Sequence, residues 1–281
     1  MENEEEVVED APPVEEEEPD EEVQEEVEEE TEEAEEEAPA EEPVAELVDW
    51  QGKWIISAEP FNFGNLSIYD ETDEGFYFDI RVNKADKKEL KNIYAKKDGS
   101  VATSEATETG CVLTLTQENE RIQVKESNEC ADNTLSVDFN NAFILPDTYV
   151  FEENFVASIK EGKLSTDGYA LGDDIDVIEQ ELGEPEAYVS PSGALFRIYS
   201  DIGYGTDAVG SNGKVGSLIV LRPEEHTPDY MKELLGEPEG EGISELDGFY
   251  YLYYTIGDKY KLYIDFLPEE KTMYRLTLGI L

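Results

Sequence analysis

The chain carries one histidine, His226, two cysteines, Cys111 and Cys130, and 71 acidic residues against 20 basic ones in 281 positions. A Ser-His-Asp or Cys-His arrangement has only His226 to build on. That residue stands in a polar stretch ahead of a predicted helix, where it reads as an exposed loop or cap residue. No G-x-S-x-G elbow occurs. Gly205-Thr206-Asp207-Ala208-Val209-Gly210-Ser211 has the spacing of a phosphate loop, but Ser stands where Lys is required, so it reads as a Gly-rich turn. Residues 70–75 (DETDEG) begin like a calcium loop, yet the ligand register is wrong and no bidentate Glu stands in place. Carboxylate pairs occur throughout, so none can be singled out for acid–base work. This pattern predicts no enzyme, no catalytic residue, no cofactor and no dedicated metal site.

Cys111 opens one predicted strand and Cys130 lies just beyond its neighbour, with 18 residues between them. A disulfide across them would staple a hairpin to the loop after it, contributing on the order of 3 kcal/mol. Two buried thiols or a metal pair are the alternatives, although two Cys without a nearby His are too few ligands for zinc. Recognition chemistry is suggested by a dense aromatic band, Phe249-Tyr250-Tyr251-Leu252-Tyr253-Tyr254, with Tyr260 and Tyr263 beyond it. On a strand, Phe249, Tyr251 and Tyr253 face one way and Tyr250, Leu252 and Tyr254 the other. One set can pack under helices. The other, together with Tyr263, is either the rim of a domain interface or a candidate binding face for protein or sugar.

These residues need a scaffold, and its plainest sign is an internal echo. IEQELGEP at residues 178–185 returns 53 residues later as MKELLGEP at 231–238, as a supersecondary unit used twice would. In the first copy an acidic first turn at 173–176 starts a helix over 175–182, with Ile175, Ile178 and Leu182 on one apolar face; Gly183 stops it and Pro185 bars its return. In the second, Thr227-Pro228-Asp229 starts a helix through Leu235, closed by Gly236 and Pro238. Strand patterns come after each copy, at 194–199 and 215–221, then at 248–255, 259–266 and 273–278. Residues 158–281 therefore read as an α+β domain of two helix-plus-antiparallel-sheet repeats. Residues 47–157 read as an all-β domain, a small barrel or sandwich of seven or eight short strands. In residues 75–82 (GFYFDIRV), Phe76, Phe78, Ile80 and Val82 share one face.

The acidic charge is uneven. Residues 1–46 contain 26 of the acidic residues and no Lys or Arg, leaving 45 acids against 20 bases in the remainder. That leader cannot bury enough apolar surface to offset chain entropy, so it is expected to be a disordered acidic tail with weak affinity for divalent cations. A 46-residue coil of this kind reaches on the order of 40 Å. Nucleic acid is excluded as a partner by like charge. No run of 18 apolar residues crosses a membrane. The opening Met1-Glu2-Asn3-Glu4 has no signal segment. Many bacterial surface lipoproteins carry just such an acidic leader directly after their lipidated cysteine. The expectation is an extracellular chain whose lipid anchor, upstream of Glu2, has been removed, so that the membrane is reached only through that anchor.

Two resemblances sharpen this. DWQGKW, GNLSIYDETDEGFYFDI and CVLTLTQENERIQVKES with the trailing Cys130 resemble a lipocalin-like or lysozyme-inhibitor-like β-domain of secreted Gram-positive proteins, departing at 92–97 (NIYAKK) where that pattern carries a Gly-rich strand. LGDDIDVIEQELGEP, HTPDYMKELLGEP, GKVGSLIVL and YRLTL resemble the repeats of the β-lactamase-inhibitor-protein-like family, with half-repeats like those of surface lipoproteins of spore-forming bacteria. The resemblance implies a non-enzymatic cell-surface binding protein that recognises an envelope protein or a wall polymer through β-sheet surfaces. The alternatives are a protein inhibitor of a secreted hydrolase, of lysozyme or β-lactamase type, and a carboxylate-dependent glycan-active enzyme.

Overall fold

The computed structural model of the protein describes residues 49–57, 62–83, 86–118, 120–130, 137–191, 193–207, 213–269 and 271–281. The expected acidic tail and positions 208–211 of the Gly-rich turn lie outside these residues.

Eight antiparallel strands close into a barrel in sequence order: β1 (Gly52–Ile56), β2 (Phe63–Tyr69), β3 (Gly75–Asn83), β4 (Lys87–Asp98), β5 (Val101–Ser104), β6 (Leu113–Glu118), β7 (Arg121–Glu126) and β8 (Ala142–Ile144). Strand β8 returns to β1, with Ile144 opposite Ile55, so the sheet has no open edge. The period-2 residues of β3 all point inward, where they meet Trp54, Leu66, Leu115, Val124 and Phe143 in a filled interior. Cys111 and Cys130 are joined by a disulfide, which ties the segment leading into β6 to the short helical turn after β7.

Helix α1 (Phe155–Lys160) leads to α2 (Ile175–Leu182), then β9 (Ala187–Val189), β10 (Ala194–Tyr199), β11 (Ile202–Asp207) and β12 (Ser217–Val220). Next come α3 (Pro228–Leu235), β13 (Gly240–Ile243), β14 (Tyr250–Ile256), β15 (Tyr260–Phe266) and β16 (Met273–Ile280). The eight strands form one antiparallel sheet in the order β13-β14-β15-β16-β12-β11-β10-β9. Each of α2 and α3 thus precedes four strands, and β12 and β16 meet at the centre.

The helix signals act as read. Asp174 caps α2 by accepting from the Asp176 N–H, and Thr227 caps α3 by accepting from the Tyr230 N–H. Gly183 and Gly236 end the two helices at φ 86° and 88°, a backbone that favours glycine. Ile175 and Ile178 are buried, as is Met231, but Leu182 is exposed. It is the last residue of a two-turn helix, and the chain turns away at Gly183 before the sheet can cover it.

The helices cover one face of the sheet, sharing a core with Leu252, Tyr254, Leu262, Ile264, Leu276 and Leu278. The other face is treated differently along its length. At the β9–β12 end, Ala187, Phe196, Ile198 and Ile219 pack on Ile55 and Ile144 of the barrel. At the β13–β16 end, that face carries the candidate site.

Candidate functional site

Strand alternation and register assemble the site. On β14, Tyr251 and Tyr253 point away from the helices because Leu252 and Tyr254 point toward them. Pairing sets Tyr253 opposite Tyr263 and Tyr251 opposite Asp265. It then sets Asp265 opposite Arg275, Tyr263 opposite Thr277 and Lys261 opposite Gly279. The rings of Tyr253 and Tyr263 lie 4.8 Å apart at 41°. The edge strand β13 places Gly242 and Gly240 beside Tyr251 and Tyr253, so it adds no side chain over those rings.

These strands floor a groove of about 1050 Å³, with Lys261, Tyr263, Asp265, Arg275 and Thr277 on its base. Leu246 and the rest of the β13–β14 connection form one wall, and Ile280 and Leu281 another part of the lining. Asp265 is only 8% exposed. Arg275 donates to its Oδ2 from both Nε (2.8 Å) and Nη2 (2.5 Å). The same Nη2 lies 3.7 Å from Asp247. Burial raises the Asp265 carboxyl above its ordinary range, and the Arg275 guanidinium partly offsets this. Burial likewise raises the Tyr263 hydroxyl, with a smaller contribution from Tyr253.

The aromatic residues singled out in the sequence separate here. Tyr251 and Tyr263 line the groove, and Tyr253 joins them through its ring contact. Phe249 stands one position ahead of β14 and stacks on Tyr274 at 4.2 Å. The ammonium of Lys53, from the barrel, sits 3.4 Å from the Tyr274 ring centre. Sequence reading missed Leu246 and the Asp265–Arg275 pair. The first had a signal, a leucine inside an ELDG turn. The second had none, because it depends on the register of β15 against β16.

His226 lies in the loop directly before the Thr227 cap, as its polar neighbours suggest, but it is half-buried rather than exposed. Its ring lies on Tyr230 at 3.9 Å, meets Phe151 edge-on and shares a 2.8 Å hydrogen bond with Glu224. The turn into α3 folds it against that helix, so it acts in packing. It does not line the groove. Residues 70–75 form a turn in which the Thr72 N–H and hydroxyl both donate to the Gly75 carbonyl. Among the described residues, no group of three or more His, Cys, Asp or Glu is placed to hold a metal ion, and no helix is long and apolar enough to cross a membrane. The groove presents ring faces, an aliphatic rim and cationic donors at its base.

No family model matches the chain. No curated protein matches it either. Among solved structures it is similar to a DUF4309 family protein (YjgB) from Bacillus subtilis subsp. subtilis str. 168, at 12% identity and a TM-score of 0.38, over 46% of this chain and 95% of that one. A likeness of that degree carries no functional argument.

Proposed function

We propose that this chain is a non-enzymatic binding protein of the cell surface, carried on its acidic leader, which recognises an envelope or secreted protein through the groove on the outer face of β14–β16. One observation carries this reading. Of the ten exposed large apolar side chains among the described residues, five line this single groove: Ile243 (67% exposed), Leu246 (99%), Tyr263 (40%), Ile280 (48%) and Leu281 (56%). Scattered apolar residues need no explanation, whereas a patch rimmed by polar groups marks an interaction surface. Tyr and Arg at its centre are the residue types that anchor protein contacts. The reading as an inhibitor of a secreted hydrolase is favoured by one feature, the protrusion of Leu246 beside the groove.

The test is retention. The full oxidised chain is immobilised and exposed to envelope and secreted fractions at about 0.15 M salt, where nonspecific charge attraction is largely screened. A protein retained by the native chain, and lost from the Tyr251→Ala/Tyr263→Ala double variant, supports the proposal. Retention unaffected by that variant, or retention of wall polymer alone, sinks it. If the retained protein is a hydrolase, a stoichiometric titration of its activity decides the inhibitor reading.

A further inference from the structure

The loop between β13 and β14 has properties that groove binding alone does not require. It presents Leu246 almost fully to solvent, between two acids, Glu245 and Asp247. This loop is braced. The Ser244 N–H donates to the Phe249 carbonyl at 2.8 Å, and the Gly248 N–H donates to the Ser244 carbonyl at 2.9 Å. The Leu246 N–H donates to the Ser244 hydroxyl at 3.4 Å. Gly248 takes φ 80° to close the turn. Phe249 anchors the far end on Tyr274, and Asp247 reaches Arg275 on the groove floor. A leucine held in a preformed loop loses little conformational freedom on binding, which is where affinity is otherwise lost.

Resting on the function proposed above, we infer that residues 244–249 are the insertion element of this surface, and that the partner is a protein presenting an apolar pocket rimmed by Lys and Arg, into which Leu246 enters. The apolar pocket is the complement of the leucine. The basic rim is the complement of the charge: Glu245 and Asp247 flank the leucine, and the chain as a whole carries a formal charge of -51. The same charge disfavours the other occupants. An anionic lipid surface would be repelled, and a second copy would bring another -51 against the first.

The experiment uses the full chain with the photoreactive residue p-benzoylphenylalanine at position 246, and separately at position 177, where Val177 is exposed on α2. Each is irradiated in the secreted and envelope fractions of the producing cells, and the crosslinked peptides are mapped by mass spectrometry. The expected result is one basic protein crosslinked from 246 and not from 177. With that protein purified, Leu246→Ala weakens binding at least tenfold, adding Glu245→Lys weakens it further, and affinity falls as salt rises. Because these side chains are exposed, the variants stay folded, which circular dichroism checks. Crosslinks from 246 to a second copy, to lipid or to glycan overturn the inference. So does a partner lost from the Tyr251→Ala/Tyr263→Ala variant yet indifferent to Leu246→Ala and to Glu245→Lys; that outcome leaves the groove standing and removes the loop. A partner indifferent to both sets of variants removes both.

Discussion

Asp265 and Arg275 illustrate how a buried charge constrains its neighbours. The Asp265 side chain is 11% exposed and the Arg275 side chain 19%. Removing the cation leaves a carboxylate stranded in a low-dielectric floor, so Arg275→Ala is expected to cost about 3 kcal/mol in a urea titration at pH 7. The pH dependence has a definite sign. A raised folded-state pKa means that the folded chain holds its proton more tightly than the unfolded one. The penalty is therefore present above the folded pKa and relieved as pH falls toward and below the ordinary value. Stability of Arg275→Ala relative to the native chain should recover on going from pH 7 to pH 4. The opposite case is Tyr254, whose buried hydroxyl has no hydrogen-bond partner among the described residues. Tyr254→Phe removes an unsatisfied group, so its melting temperature should be unchanged or higher, a gain of at most about 1 kcal/mol. A clear loss of stability would show that the hydroxyl has a partner. The sequence pointed to tyrosines at both positions of the band but could not distinguish 254 from 253, since alternation separates two faces without saying which one is covered.

At the scale of strands, glycine separates the two ends of the outer sheet face. A methyl carbon at Gly205 of β11 would lie 2.5 Å from a ring carbon of Phe196 and 2.7 Å from the Ser217 hydroxyl. There the sheet is pressed between Phe196 and its neighbours, so Gly205→Ala should cost about 1–3 kcal/mol through overpacking. At Gly242 of β13, the added methyl would meet the Tyr251 ring at 3.7 Å, an ordinary contact. Gly242→Ala should change stability by less than about 0.5 kcal/mol. Parallel melting curves of the two variants test the claim that one end is packed and the other open; equal losses would contradict it. In the barrel, the disulfide spans a sequence separation of 19. The Cys111→Ala/Cys130→Ala variant should lose about 3 kcal/mol, chiefly through a freer unfolded chain. Helices α2 and α3 were legible in sequence because caps and glycine stops are local. Strands β8, β9 and β13 were not, since three- or four-residue strands are defined by their partners, and neither was β11, whose residues 205–207 read as the start of a Gly-rich turn but pair as strand with β10 and β12.

Across the whole molecule, buried tyrosines set an alkaline limit. Burial pushes the hydroxyls of Tyr204 and Tyr254 up to about 12, and raises Tyr149 as well. Unfolded tyrosines ionise near pH 10. Stability is therefore fully present below about pH 10 and is lost as pH climbs toward the folded values, because only the unfolded chain can release these protons. Urea titrations between pH 9 and 11 should show this fall, with tyrosinate absorbance appearing together with the loss of structure. Tyr204→Phe should flatten part of the slope. A flat profile to pH 11 would mean that these hydroxyls ionise in place.

Local patterns in the sequence were enough for the class of the fold: period-2 alternation for the strands, caps and stops for the helices, and a repeated octet that marks where each helix ends. They were also enough to set Tyr251 and Tyr253 on one face of a strand, because alternation needs only neighbours; that Tyr263 joins them and Phe249 turns away depends on register and chain reversal. Tertiary structure alone decided what that face is. The barrel covers the β9–β12 end through Ile55 and Ile144 and leaves the β13–β16 end open. Register brings Asp265 to Arg275. Chain reversal lifts Leu246 to the rim while Phe249 is turned onto Tyr274. Each of these depends on contacts between residues distant in sequence, and the free energy of such contacts is a property of shape rather than of pattern.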